Sequence, residues 1–148
     1  MKKREYLEDQ IAVLLGGRAA EQILLSTMTA GASNDIQRAV EIARSMVSEF
    51  GMSPLGPIYL GDPRSEQLSQ GLLDRVEDAV NDIINSQLAR ACEVVNGQQE
   101  SIGRLVELLL EHDTVEADGI EQCFSEHQRS LALNYPPPTA LLPQPASL

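Results

Sequence analysis

The sequence predicts an all-α fold, a packed bundle of about five helices with a Pro-rich tail behind it. Two observations carry that expectation. Apolar residues recur at helical spacing in five separate stretches, and no pair of stretches reads as strands. Aromatic residues are only 3% of the chain and Trp is absent, so the core must come from Leu, Ile, Val, Ala and Met. The 148 residues suit one domain. We place it at residues 1–129, with 130–148 as the tail.

The first helix is expected from about Glu5 to Leu25, with Leu7, Ile11, Leu14, Leu15, Ile23 and Leu24 on one stripe. Gly16 and Gly17 interrupt it at up to ~1 kcal/mol each relative to Ala. Such a pair inside a good helix suggests a close backbone contact with a neighbour. The second helix is the best defined. Ile36, Val40, Ala43, Val47 and Phe50 form its stripe, Ala39, Ile42 and Met46 adjoin it, and so broad an arc implies burial on two sides. Ser33 reads as its N-cap and Gly51 as its stop.

A Pro/Gly-punctuated loop follows, "SPLGPIYLGDPRS", in which "IYL" could be extended. The third helix is expected over about Gln67 to Asn96. Leu73, Val76, Val80, Ile83, Ile84, Ala91, Val94 and Val95 face in, and Gly97 ends it. In the fourth, "SIGRLVELLLE", Ile102, Leu105, Val106 and Leu109 are the inward residues. A short fifth begins near Ala117, with Ile120, Cys123 and Phe124 apolar. The tail "LNYPPPTALLPQPASL" holds five of the eight prolines and no charge, so disorder is expected there.

Composition removes several functions. Eleven basic against 22 acidic side chains give a net charge of −11, the wrong sign for a phosphate backbone, so no nucleic-acid partner is expected. Lys2 and Lys3 are the only lysines, which excludes a G-x-x-x-x-G-K-[ST] loop and with it an ATP site of that type. No G-x-S-x-G elbow occurs. His112 and His127 are the only histidines, so an H-E-x-x-H helix does not occur in these residues. His112 suits a helix C-terminus and His127 a surface position. Cys92 and Cys123 lack C-x-x-C spacing, which fits a reducing compartment such as the cytoplasm. No signal peptide is expected, because Glu5, Glu8 and Asp9 fall where its apolar stretch would lie. The run "IAVLL" is too short for a membrane segment.

Asp35 is the residue with chemistry to offer. A carboxylate in the first turn of a helix meets unpaired N–H groups and the positive end of the dipole. That helix-start role is the reading the residues favour; a metal reading needs partner donors, since a lone carboxylate is never a zinc site.

The blocks around it are distinctive. "LLGGRAAEQI" (14–23) followed by "TAGASNDIQRAVEIARSMVSEFGMSPLGP" (29–57) resembles the peptidase domain of the FtsH-type ATP-dependent zinc metalloproteases. That family has a GGRAAE helix, a TTGASND segment, an A-x-x-[IL]-A-R-x-M-V helix and a GMS turn, in this order. Residues 76–95 and 105–124 resemble its later helices more weakly, so the likeness covers about 4–126 and leaves out the tail.

The resemblance implies that Asp35 stands where the family has its third zinc ligand. Glu21 stands at the acidic position after GGRAA and is given a supporting role beside the site. Arg18 and Asn34 also match, and are given structural roles: an ion pair for Arg18, helix capping for Asn34. Gly16 and Gly17 match the family's glycine pair. Departures are Ala30 for the second Thr of TTGASND, Glu77 for a usual Asp and Leu88 for a usual Tyr.

The family's two histidines and its general-base glutamate lie in an H-E-x-x-H helix upstream of GGRAAE. The residues in hand therefore supply one zinc ligand of three, no base and no ATPase module. The resemblance implies a partial zinc-metalloprotease domain, with protein substrates and ring-forming subunits in the intact family. Zinc is the implied cofactor, not stably bound by this chain alone, and no independent proteolysis is expected. The alternative is a catalytically dead interaction or structural subunit that self-associates or joins FtsH-type rings.

Overall fold

The computed structural model describes residues 1–58 and 70–124. All regular structure among them is helical: α1 (Arg4–Leu14), α2 (Gly16–Ala20), α3 (Ser33–Ser48), α4 (Gln70–Gly97), α5 (Gln99–His112) and α6 (Ala117–Gln122). A π-helical turn, Glu21–Leu25, continues α2, and a 3-10 turn, Ala30–Ala32, leads into α3. Tyr59 and Leu60 of the "IYL" segment, the start expected at Gln67, His127 and the whole Pro-rich tail lie outside the described residues.

The single first helix expected from the pattern is instead three pieces. The chain breaks at Leu15, whose N–H still reaches the Ile11 carbonyl at 3.0 Å, and α2 then widens into the π turn. The glycine pair marks that break. The expected close contact at Gly16 and Gly17 is not formed among the described residues, where a Cβ at either position would meet nothing within 4 Å. With open space beside a helical glycine, its cost is conformational only. Gly17→Ala should therefore raise stability by about 0.5–1 kcal/mol, read as a higher urea midpoint at an unchanged slope.

The core sits where three helices meet. Leu7, Ile11 and Leu15 pack with Ala39, Ala43, Met46 and Val47 of α3 and with Val76, Val80 and Ile83 of α4. Ala39 and Ala43 are completely buried, and their small side chains let α3 lie close to its neighbours. The two-sided burial expected for α3 is thus met. The long α4, 28 residues, serves as the spine. Farther along it, Ala91 and Val95 receive Ala19 of α2 in a second, smaller cluster.

Two polar ties join these helices. Arg90 Nη2 of α4 donates to Asp9 Oδ1 of α1 at 2.5 Å, and Asp9 is only 2% exposed. Arg44 of α3 pairs with Glu77 of α4 on the surface. That hydrogen bond holds the Glu77 carboxyl below its ordinary range and raises Arg44.

The stop after α3 follows the sequence. Gly51 takes a left-handed φ of 61°, and the Met52 N–H reaches back to the Met46 carbonyl at 2.8 Å, which closes a widened last turn. An added Cβ on Gly51 would also lie 3.1 Å from the Pro57 backbone.

Three expected core assignments are corrected. Phe50 is 52% exposed, because α3 ends before it and the chain has begun to turn. Val106 and Leu109 of α5 are 48% and 41% exposed, since α5 touches α4 little and no other described helix covers that stripe. Ser101 of α5 is the fully buried residue instead. On α6, Ile120 is exposed whereas Cys123 is buried, its Sγ donating to the Gly119 carbonyl at 3.3 Å.

Candidate functional site

The segment from Gly16 to Asp35 folds into one local unit. α2 and its π turn place Arg18 and Glu21 one turn apart on one side, where Arg18 Nη1 lies 3.9 Å from Glu21 Oε2. The ion pair expected for Arg18 is therefore present. Arg18 Nη2 also lies against the Met28 sulfur. Ser26 adopts a left-handed conformation, φ 49°, and turns the chain out of the π turn.

Thr29 then returns to Glu21. Its backbone N–H donates to Glu21 Oε2 at 3.0 Å, and its hydroxyl donates to Glu21 Oε1 at 2.6 Å. The same hydroxyl oxygen accepts from the Gly31 N–H at 3.2 Å. These bonds hold the Glu21 carboxyl below its ordinary value: the Thr29 hydroxyl contributes most, then the Thr29 N–H, with Arg18 adding a smaller attraction against a cost of burial.

The helix start is thus set farther upstream than the sequence suggested. Ser33 is the first α-helical residue rather than the cap, and neither it nor Asn34 makes a side-chain capping bond at α3. The capping role expected of Asn34 is corrected accordingly. Thr29 is the side-chain cap, and the 3-10 turn Ala30–Ala32 runs directly into α3. The signal was available, since a Thr two residues before a Gly can cap a tight turn, but Ser33 stood nearer the apolar periodicity. Asp35 sits in the first turn of α3, as expected, and its side chain is exposed.

A zinc ion needs three protein donors converging on one point. Among the described residues no group of three His, Cys, Asp or Glu side chains converges in that way. His112 stands exposed at the end of α5, beside Glu111. The donor set in hand offers one carboxylate and does not fit zinc by itself, so no catalytic step is derived through the metal.

Comparison with known proteins gives the class first: a peptidase family model matches residues 1–123, so this helical unit is a peptidase-domain chain. The model is described as Peptidase family M41, and the chain belongs to that family. It is 51% identical over 129 residues to the ATP-dependent zinc metalloprotease FtsH 3 of Sorangium cellulosum, a match covering 87% of this chain and 21% of that protein. It is 36% identical over 135 residues to FtsH of Thermotoga maritima, covering 83% of this chain and 22% of that one. FtsH of Thermus thermophilus is 38% identical over 128 residues, 80% of this chain and 20% of the relative. The chain thus spans about a fifth of the length of the curated relatives it matches. The resemblance read from the GGRAAE and TAGASND blocks is borne out.

Proposed function

We propose that the chain is the C-terminal helical part of an FtsH-type zinc metalloprotease domain and contributes Asp35 to a metal centre whose other donors lie outside these residues. The observation that carries the reading is the exposed Asp35 carboxylate in the first turn of α3, behind a loop pinned by Glu21. Its relatives' names supply zinc and ATP dependence, and by that likeness the intact protein acts on protein substrates. On its own the 148-residue chain has no base and one ligand, so proteolysis is not among its activities. No helix among the described residues is long and apolar enough to cross a membrane.

The test uses the purified 148-residue chain with zinc added, an unfolded protein substrate, and metal analysis after dialysis. No cleavage and well under one zinc per chain are expected. Chelator-sensitive cleavage that disappears in Asp35→Ala would overturn the reading.

A second reading has its own observation. Val106, Leu109 and Leu110 leave an apolar stripe on α5, Leu110 being 79% exposed. Such a stripe suits a structural subunit that self-associates or binds FtsH-type subunits. Light scattering of the chain alone and with an FtsH-type subunit separates the two: a monomer that also ignores the subunit argues against this reading.

A further inference from the structure

We propose that Thr29 is a positioning residue, the coupling point through which Glu21 fixes the start of α3 and hence the place of Asp35. The inference rests on the reading of Asp35 above, and it concerns how this chain holds that carboxylate.

The geometry is specific to a hydroxyl. A threonine oxygen can donate one hydrogen bond and accept others at the same time. Here it donates to Glu21 Oε1 and accepts from the Gly31 N–H, while the Thr29 backbone occupies Glu21 Oε2. Both oxygens of one carboxylate thus engage one residue eight positions away. Two of the three bonds end on an ionised acceptor, which strengthens them against competition from water. Arg18 faces the same carboxylate from α2.

The Gly31 N–H is one of the donors that a helix start leaves without a backbone partner. Its capture by Thr29 decides where the helical chain begins. Because Ala30–Ala32 passes into Ser33–Ser48 without a break, that choice sets which residues make the first turn of α3. A Cβ on Gly31 would lie 3.3 Å from the Thr29 oxygen, so the space at this bond is already filled. Valine matches threonine in shape and removes every hydroxyl bond. Serine keeps them.

The test reads amide exchange and carboxyl titration by NMR in the 148-residue chain, and needs neither zinc nor proteolysis. Its failure is therefore distinct from failure of the Asp35 reading, which only the zinc and cleavage measurements address. Thr29→Val should speed exchange at Gly31 and across the first turn of α3 about fivefold or more, the scale of one lost hydrogen bond. The α4 core amides should keep their wild-type rates, and Thr29→Ser should restore the first turn. Glu21→Gln should loosen the first turn less in the Thr29→Val background than in the wild type, because the hydroxyl bond the two residues share is already gone while the Thr29 N–H and Arg18 still face the Glu21 side chain.

Titration supplies a second signature. The folded Glu21 carboxyl lies below its ordinary value, so the contact is complete above the usual carboxylate range and is lost as pH falls through the lowered value. Thr29→Val should move that midpoint upward. Unchanged exchange at Gly31, equal loosening of α4, or no recovery in Thr29→Ser would each overturn the proposal.

Discussion

Truncating Ile11 to alanine should cost about 2–5 kcal/mol of folding stability. Ile11 is completely buried at the point where α1 meets α3 and α4. The loss has two parts: the hydrophobic transfer of the deleted carbons, and the cavity they leave. The neighbours that could fill that cavity include Ala39 and Ala43, which have almost no side chain to move. The cost should therefore fall in the upper half of the range. Equilibrium urea unfolding measures it, and Leu110→Ala on α5 is the control, expected within about 0.5 kcal/mol. A loss below about 1 kcal/mol at Ile11 would mean that the three-helix cluster is not the stabilising core.

Arg90→Ala should cost about 3 kcal/mol. Asp9 is 2% exposed, Arg90 Nη2 binds one of its oxygens, and the other has no hydrogen-bond partner among the described residues. Removing the guanidinium leaves a carboxylate held away from water with nothing to offset its charge. Arg90 is itself 26% exposed, which keeps the expectation at the low end of losses seen for buried pairs. The decisive comparison is the double variant Asp9→Leu/Arg90→Leu. It should recover most of the loss, because an apolar pair of similar volume has no desolvation cost to offset. At this chain length 3 kcal/mol corresponds to a fall in Tm of roughly 6–12 °C. A double variant as unstable as Arg90→Ala would show that packing of the arginine stem, not the buried charge, sets the effect.

Much of this molecule is legible along the chain, and the reasons are local. The period of Ala39, Ala43, Met46 and Val47 fixes a two-faced helix whatever surrounds it. Gly51 ends that helix because its φ of 61° is one that side-chain-bearing residues rarely adopt. The family blocks were also readable, since a motif is a property of residue order. Asp35 in a helix's first turn followed from the same order.

Other features depend on what lies opposite. α5 has as good an apolar stripe as α3, yet Val106 and Leu109 are exposed and Ser101 is buried. A helical period says which residues share a face, and only a packed neighbour decides whether that face is covered. The same holds for Asp9, which reads as one more solvated acid until α4 brings Arg90 against it, 81 positions away. Gly16 and Gly17 suggested a close contact, but the space beside them is open, so the pair permits a break and not an approach.

By itself, then, the sequence determined most of the helices, the stop at Gly51, the family and the place of Asp35 in the first turn of α3. Those rest on backbone preference and residue order, which act over a few positions. Tertiary structure alone decided that the first helix splits at Leu15, that Thr29 rather than Ser33 caps the way into α3, and that Asp9 is buried. Each of these turns on which side chain meets which across a gap in the chain, and a hydrogen bond or a desolvated charge has no energy until that meeting occurs.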